Sequence, residues 1–280
     1  MWTQFIIWSN RAKKFKDYPL AIFPFLRKYV YYNYTADSYI PLYRDVHFLG
    51  YADTINEVLY NHKSIARFGD DVFDLLLGIG LYFGNWRQVY RPSLAKRLKE
   101  VLSSDNPKLL LCFNPEFILK TKTEFKSEGI IKQYLFWTHS KVFLKNYIRI
   151  GQSYGSALSF HERYNAQIPY EEIARHLKTK HLIVVASNTA RFKEQNLGLT
   201  TQCVEAPSSN AWDSYEKIMR QVIQSVSVLP KEDVLILASI GPTSKVMAYD
   251  LTKIGYTVWD TGQLFDLALQ KITSATLATK

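Results

Sequence analysis

The stretch from residue 234 to residue 260 limits most narrowly what this chain can fold into. Residues 234–239 form the apolar run Val-Leu-Ile-Leu-Ala-Ser, and after a short polar loop apolar residues recur at helical spacing. Gly255 ends the helical period, and residues 256–260 form a second apolar run. A strand, a helix and a strand in this order predict a βαβ unit, whose two strands are parallel. The chain is therefore expected to contain a parallel sheet.

The rest of the sequence repeats this alternation of strand and helix. Apolar runs predict strands at 65–68, 109–113, 181–187, 234–239 and 256–259. Residues 94–102 have helical periodicity, and a second clear helix is predicted directly after residues 210–213. Asp213 and Glu216 have the spacing of a capping box at its start. Because 47% of the 280 residues are hydrophobic, the chain can bury a large α/β core.

The loop of the βαβ unit reads Gly241-Pro242-Thr243-Ser244-Lys245. Such a loop directs backbone N–H groups and the amino end of a helix at whatever lies above the sheet, and phosphate is the natural occupant. Gly241 lets the chain pass close to a ligand, and the Thr243 hydroxyl suits a helix cap or a phosphate contact. The loop matches neither the P-loop nor the dinucleotide fingerprint, so simple capping stays the alternative.

Two adjacent carboxylates follow an early apolar strand, in the order Arg67-Phe68-Gly69-Asp70-Asp71. Acidic side chains at the carboxyl end of a buried strand are typical of ligand and metal sites in open α/β sheets. The same residues are also common as turn formers and at helix amino ends. The pattern alone leaves both interpretations open.

The net charge indicates which partners the protein binds, and the cysteine content indicates its compartment. The formal charge of +10 favours anionic partners: phosphates, nucleic acid or an acidic bilayer face. Only Cys112 and Cys203 are present, which excludes a zinc site built on cysteine spacing and favours a reducing compartment with two structural thiols. We find no secretory signal pattern and no apolar window long enough for a membrane span, so the mature chain is expected to start at Met1.

Residues 1–55 differ from the remainder because Trp, Tyr and Phe alternate there with Lys and Arg. This composition is typical of a segment at a bilayer interface, where rings lie at headgroup depth and cations contact anionic lipid. A helical arm packed on the domain or on a second copy explains it equally well. We therefore predict an N-terminal arm over 1–55, with membrane contact through 1–34, and a main domain over 56–280.

Over residues 57–266 the sequence resembles the bacterial GT-D type glycosyltransferases. The resemblance is carried, in matching order and spacing, by residues 64–70, 92–99, 207–215 and 241–262. It implies a Rossmann-like, mostly parallel sheet with helices on both faces, beside the helical aromatic and basic arm. It also implies a nucleotide-sugar donor and an Asp-x-Glu motif after an early strand.

The sequence departs from this family at its acidic positions. The family motif Asp-Gly-Glu reads Asp70-Asp71-Val72 here, so the second acidic ligand is missing from its usual place. A later Glu-Gly-Glu reads Ala186-Ser187-Asn188, although Arg191 and Asn196 match, and Asp-x-Gly-His reads Asp260-Thr261-Gly262-Gln263.

The resemblance implies the following site residues. Asp70, Asp71, Asp260 and His161 are the candidates for catalysis, and Asp70 and Asp71, with Asp74 nearby, are those for Mn²⁺ or Mg²⁺. Residues expected to bind the nucleotide sugar are Arg67, Gly69, Asn188, Arg191, Asn210, Gly241, Pro242, Thr243 and Lys245. Glycosyl transfer needs the charge of the departing diphosphate neutralised. Either a metal on the carboxylates or Arg67, Lys245 and the Gly241 loop without one would meet that need.

The expected function is transfer of a sugar, UDP-linked by expectation, to a glycan acceptor in bacterial surface polysaccharide or glycoprotein glycan synthesis. The acceptor would be lipid-linked or protein-linked, and the enzyme would lie in the cytoplasm or peripherally on the inner membrane face, as a monomer or homo-oligomer. One alternative is a degenerate member that binds a sugar nucleotide or a partner without turnover. A second alternative, a nucleic-acid binder, is motivated by the charge and the aromatic residues and is the weakest of the three.

Overall fold

The computed structural model of the protein describes residues 15–83, 86–193, 197–262, 271 and 272. Strands in these ranges are β1 (His47–Phe48), β2 (Ser64–Arg67), β3 (Leu81–Phe83), β4 (Trp86–Gln88), β5 (Leu109–Phe113), β6 (Ser153–Ser156), β7 (His181–Ala186), β8 (Thr200–Glu205), β9 (Val234–Ser239) and β10 (Thr257–Asp260). Helices after the N-terminal segment are α1 (Tyr51–Leu59), α2 (Asp70–Leu76), α3 (Pro92–Leu102), α4 (Pro115–Ile118), α5 (Lys122–Ser127), α6 (Ile131–Phe143), α7 (Tyr170–Lys178), α8 (Ala190–Lys193), α9 (Tyr215–Val226) and α10 (Thr243–Lys253).

The strands form an eight-stranded sheet in the order β1-β6-β5-β2-β10-β9-β7-β8, and β3 and β4 form a separate antiparallel pair. The pairs β2–β5, β10–β2, β10–β9, β7–β9 and β7–β8 are all parallel. The predicted βαβ unit is confirmed, since β9, α10 and β10 follow one another and the two strands pair directly. The predicted α/β class with a mostly parallel sheet is therefore confirmed.

The chain divides into two compact units whose segments alternate along the sequence. The first unit comprises residues 1–48, 68–103 and 113–154, and the second comprises 49–67, 104–112 and 155–280. This division differs from the predicted arm at 1–55 and domain at 56–280, because residues 1–48 group with later segments of the chain. The N-terminal arm and the main domain therefore remain a prediction from the sequence.

In the second unit, both faces of the central strands are buried. Leu182 and Val184 of β7 lie on one face with Leu235 and Leu237 of β9, in a cluster completed by α1, α7 and Trp259. The residues between them, Ile183, Val185, Ile236 and Ala238, are also fully buried. Apolar runs without alternation are what a parallel sheet covered on both faces requires. Because these apolar runs are uninterrupted, the strands could be predicted from the sequence.

In the first unit, short helical turns follow one another from residue 19 to residue 43. They comprise Pro19–Ala21, Ile22–Leu26, Arg27–Tyr32, Asn33–Thr35 and Ala36–Tyr43, of which the first and last are 3₁₀ and the third is a π-helix. We call these residues the N-terminal helical segment. Its buried side chains are Ala21, Lys28, Tyr32, Ala36, Ile40 and Tyr43. The predicted helical character of this part of the arm is confirmed from residue 19 onward.

Two details of local structure bear on the sequence predictions. The N-cap of α9 is Ser214 and not the predicted Asp213, because a 3₁₀ turn, Ala211–Ser214, precedes this helix. Neither cysteine forms a disulfide, and burial raises the pKa of Cys112 to about 12, which keeps it inert.

None of the helices in the described ranges combines the length and the apolar character that crossing a lipid bilayer requires.

Candidate functional site

In the second unit, the carboxyl ends of four parallel strands lie at one edge of the sheet. Asp260 of β10 is in register with Ala238 of β9, and Ser239 of β9 with Ala186 of β7. Arg67 ends β2 on the other side of β10. Ligands of open α/β sheets bind at this edge. The side chains and loops here therefore form the candidate site of this unit.

The loop between β9 and α10 contains a glycine in the left-handed region, because Gly241 has φ of 63°. Ser244 fixes the turn: its backbone N–H donates to the Gly241 carbonyl (3.1 Å), and its Oγ accepts the N–H of Ile240 (2.9 Å). The expected cap by Thr243 is not formed, since Pro242 is the N-cap and has no side-chain capping bond. Thr243 Oγ1 is instead buried with no hydrogen-bond partner among the described residues.

Asp260 is the buried centre of this edge, with an exposed fraction of 1%. Its Oδ2 accepts hydrogen bonds from the Lys245 ammonium (2.9 Å) and from the Arg67 backbone N–H (2.9 Å). Lys245 also donates to the Gly241 carbonyl (3.3 Å). A buried carboxylate is tolerated only with such partners. Asp260 thus joins the ends of β2 and β10 to the loop that begins α10.

The Arg67 side chain is held by backbone carbonyls on both sides. Nη1 donates to Ala157 O (3.2 Å) and Nη2 to Thr261 O (2.7 Å). Its Nε is buried and has no partner among the described residues. Gly262 has φ of 51°, and a Cβ there would collide with Arg67 Nη2, so only glycine fits. These two carbonyls were absent from the sequence prediction, because backbone acceptors have no signature in a sequence, whereas Gly262 lies in the motif Asp260-Thr261-Gly262-Gln263.

His161 lies near this guanidinium. Burial and the positive charge of Arg67 hold the pKa of His161 below its usual value, so the imidazole is neutral at pH 7. Its Nδ1 accepts the backbone N–H of Arg163 (3.3 Å), which places the proton of the neutral ring on Nε2. In this state His161 offers a hydrogen-bond donor rather than a base.

The first unit contains three carboxylates on one helical turn, Asp70, Asp71 and Asp74, which we call the acidic turn. Gly69 is the N-cap of α2 in an extended conformation, and Asp71 Oδ1 accepts the N–H of Val72 (2.9 Å). Burial and the negative charges of Asp71 and Asp74 raise the pKa of Asp70 to about 7. Asp70 therefore exchanges its proton near neutral pH, which is the range that a catalytic or cation-binding group requires.

Asp74 belongs to a buried ion-pair network that the sequence did not indicate. Its Oδ1 accepts from the Lys28 ammonium (2.6 Å) and lies 2.7 Å from His139 Nδ1. Despite burial, Lys28 and His139 hold the pKa of Asp74 far below its usual range. Lys28 comes from the N-terminal helical segment and is 2% exposed. No local pattern could have paired it with a residue 46 positions later.

The residues of the acidic turn meet the needs of a divalent cation only in part. Asp74 is already neutralised by Lys28 and His139, and Val72, where the resemblance to the GT-D enzymes implies a Glu, is buried and apolar. Within the described ranges, no group of three or more His, Cys, Asp or Glu side chains is arranged to hold a metal. Asp70 and Asp71 remain, and two carboxylates suit Mg²⁺ or Mn²⁺ when phosphate oxygens and water complete the shell.

The other predicted residues are not joined to these clusters by the contacts described above. Asn188 is exposed after β7, and Asn210 adopts φ of 53° in the loop after β8. Arg191 is in α8, but its side chain lies outside the described part of the structure, as do Asn196 and Gln263.

Comparison with known proteins identifies a family that shares this fold. The family model described as "Glycosyltransferase GT-D fold" matches residues 65–266. The chain is 26% identical over 237 residues to "Probable glycosyl transferase Gly" of Streptococcus gordonii, covering 80% of this chain and 33% of that protein. It is 23% identical over 232 residues to "Glycosyltransferase GlyD" of Streptococcus pneumoniae, covering 77% and 26%. The chain thus spans a third or less of the length of these curated relatives.

Solved structures share the same fold. One, described as showing that "the highly conserved domain of unknown function 1792 has a distinct glycosyltransferase fold", superposes with a TM-score of 0.68 at 23% identity, covering 86% of this chain and 87% of that chain. Another, "A New Glycosyltransferase (DUF1792) from Streptococcus sanguinis", gives 0.62 at 23% identity over 82% and 86%. The family match covers most of the chain and includes both the acidic turn and the Gly241 loop, so this protein belongs to the glycosyltransferases of the GT-D fold.

Proposed function

We propose that this chain transfers a sugar from a nucleotide sugar, UDP-linked, to a hydroxyl group of a glycan acceptor. The observation that carries the proposal is the loop at the carboxyl end of β9, where Gly241 precedes the amino end of α10 and Lys245 and Arg67 converge on Asp260. The amino end of a helix suits the diphosphate of such a donor. Membership of the GT-D family supports the reaction class.

In the proposed reaction, the bond between the sugar C1 and the diphosphate oxygen breaks, C1 bonds the acceptor oxygen, and the acceptor hydroxyl loses its proton to water. Negative charge then develops on the departing diphosphate, and fixed donors aimed at it lower the barrier. Backbone N–H groups at the start of α10 and the Nε2–H of His161 are the donors that we assign to it. Asp260 is a positioning residue in this scheme, because it holds Lys245 and the Arg67 backbone in place.

We assign the acidic turn to cation binding. Asp70 and Asp71 would hold Mn²⁺ or Mg²⁺, since carboxylate oxygens are ligands that these cations prefer. Deprotonation of Asp70 is required for this role, and its pKa of about 7 makes the role dependent on pH in the neutral range.

We further propose that the protein works at an anionic membrane surface on a lipid-linked acceptor. The N-terminal helical segment exposes apolar side chains at three- and four-residue steps, which we call the apolar stripe: Leu20, Phe23, Leu26, Val30 and Tyr34. Exposed Lys16 and Arg27 flank it, and the chain carries a formal charge of +10. An outward apolar helical face beside cations is the pattern of an interfacial helix.

A panel of UDP-, GDP- and dTDP-sugars tests the donor proposal. Each sugar nucleotide is added with and without Mn²⁺, and thermal stability, hydrolysis and transfer to a lipid-linked acceptor are measured. A donor stabilises the fold by mass action, so the preferred nucleotide raises the melting temperature most. If no nucleotide sugar stabilises the protein and none is turned over, the proposed function is wrong.

One observation favours a second function, binding of the sugar nucleotide without turnover. Val72 stands where the family has a Glu, and its side chain is 1% exposed in the core of the first unit. A carboxylate is therefore missing at a place where relatives of this fold have one. Saturable binding of a nucleotide sugar with neither hydrolysis nor transfer would identify this second function.

A further inference from the structure

The second unit contains a cavity of about 360 Å³ at the amino ends of the strands, the edge opposite to the Gly241 loop. Ser64 at the start of β2, Val234 at the start of β9 and Thr257 at the start of β10 line it. The end of α10 closes one side at Thr252 and Gly255. Its volume lies in the range of small-molecule sites. No part of the proposed transfer reaction uses this edge.

The charged groups that line this cavity are mostly basic. His62, His176, Lys108 and Lys180 face it, and Glu232 is the acidic side chain among the lining residues described. Lys180 donates to the backbone carbonyl of Glu232 (2.6 Å) and, as an ammonium with three protons, keeps further donors. At neutral pH the two lysines against one carboxylate leave a positive charge that an anion would neutralise.

The two histidines are held in a stack that places them at this cavity. The rings of His62 and His176 stack at 5.7 Å, and His176 stacks in turn on the fully buried Trp259 at 5.4 Å. His62 adopts φ of 52°, a left-handed conformation that is unfavourable for a residue with a side chain. Such strain persists only where the surroundings fix it, and it is concentrated at ligand sites.

We propose that this cavity is a second anion site, which binds a small phosphorylated molecule through Lys108, Lys180 and the two stacked histidines. Lysines act as point charges toward phosphate, and each imidazole becomes a further donor when it is protonated. In the empty cavity protonation is disfavoured: burial and the charges of Lys180 and His62 lower the pKa of His176 to about 4. Burial and the charges of Lys180 and Lys108 likewise lower the pKa of His62. The negative charge of a bound phosphate would raise both pKa values.

The test follows the histidine resonances by NMR while pH is varied, with the full chain and with inorganic phosphate or pyrophosphate as the probe. Potassium chloride at matched ionic strength is the reference. We expect the pKa of His176 to rise by about one unit or more with either phosphate probe and not with chloride.

Variants distinguish anion binding in this cavity from donor binding at the Gly241 loop. Lys108→Gln/Lys180→Gln should weaken the phosphate response of His176 at least about tenfold, because charge-assisted hydrogen bonds are lost. Lys217→Gln, which removes an exposed charge on α9, should leave it unchanged. A Gly241 loop variant should also leave it unchanged, even where donor binding is lost. If His176 responds equally to chloride, or equally in the double variant, the cavity is not an anion site.

Discussion

At the residue scale, the state of Asp70 is the clearest physical signal in the molecule. Its pKa of about 7 lies above the ordinary value of 3.8, so the folded state holds a proton that the unfolded chain has released. The stabilising contribution of the protonated group is complete below pH 3.8 and is lost as the pH rises toward 7. The ionised Asp70 carboxylate thus lowers the free energy of unfolding at neutral pH, as is common at functional sites.

Asp70→Asn should therefore stabilise the protein at pH 8 by roughly 1–3 kcal/mol, after allowance for partial exposure. The opposing loss of a negative charge at the amino end of α2 is about 0.5 kcal/mol. Urea unfolding at pH 8, 6 and 4 measures the difference, which should shrink as the pH falls. A variant that is less stable than wild type at pH 8 would show that the carboxylate is a structural cap.

Removal of the same carboxylate should abolish transfer and the binding of Mn²⁺ in the presence of UDP. In the wild type, apparent Mn²⁺ affinity should fall about tenfold per pH unit below pH 7, because a proton competes for Asp70, and should level off above it. Calorimetric titration across this pH range gives both results. If Mn²⁺ does not bind at any pH while Asp70→Asn still abolishes transfer, Asp70 acts on a proton and the metal assignment is wrong.

Gly241→Val should weaken binding of the UDP-sugar, since a side chain would enter the approach to the diphosphate and φ of 63° disfavours any residue but glycine. Gly151→Val is the matched control: Gly151 has φ of 90°, and a Cβ there meets nothing within 4 Å. Calorimetry reports affinity and circular dichroism the fold. Unchanged affinity in a folded Gly241→Val protein would remove this loop from the donor site.

Residue-scale prediction from the sequence succeeded where the chemistry is local. The strand that ends at Asp260 was predicted from an apolar run. Thr243 was expected to cap α10 or to bind phosphate but forms no cap, and the neighbouring Ser244 fixes the turn through the N–H of Ile240. The network of Lys28, Asp74 and His139 joins residues far apart in sequence and could not have been read from any window.

At the element scale, the N-terminal helical segment presents two different faces. Its inward face carries Lys28, which neutralises Asp74, whereas its apolar stripe points outward, with Phe23 68% and Tyr34 80% exposed. Deletion of residues 1–34 would remove both faces at once and would take away Lys28, one of the two partners of Asp74. A deletion is therefore a poor test of membrane contact, and substitutions confined to the stripe are better.

Phe23→Ser/Leu26→Ser/Val30→Ser should release the protein from vesicles that contain anionic lipid, with little change in thermal stability, because these side chains already lie in solvent. Ile223→Ser/Val228→Ser, which alters exposed apolar residues at and after the end of α9, is the control and should still sediment with the vesicles. Equal sedimentation of both variants with wild type would show that the stripe does not contact lipid.

At the scale of the whole molecule, the parallel order of the sheet could be predicted, but the two compact units could not. The strands could be predicted from short windows of sequence, since β7 and β9 are apolar without interruption. Their parallel pairing follows from the helices between them. The units are built from segments that alternate along the chain, at 1–48, 68–103 and 113–154 against the remainder. Such grouping depends on long-range packing, which composition and periodicity do not encode.

The same grouping makes Lys28 a probe of whether the two units unfold separately. Lys28→Met leaves Asp74 with His139 as its remaining partner in the pair network, and loss of one member of a buried ion pair costs roughly 2–4 kcal/mol. If the units are distinct in stability, hydrogen exchange should accelerate in 68–103 and 113–154 and stay slow in 155–262. Lys126→Met, an exposed site in the same unit, should change neither. Uniform acceleration across the chain would mean that both units unfold as one.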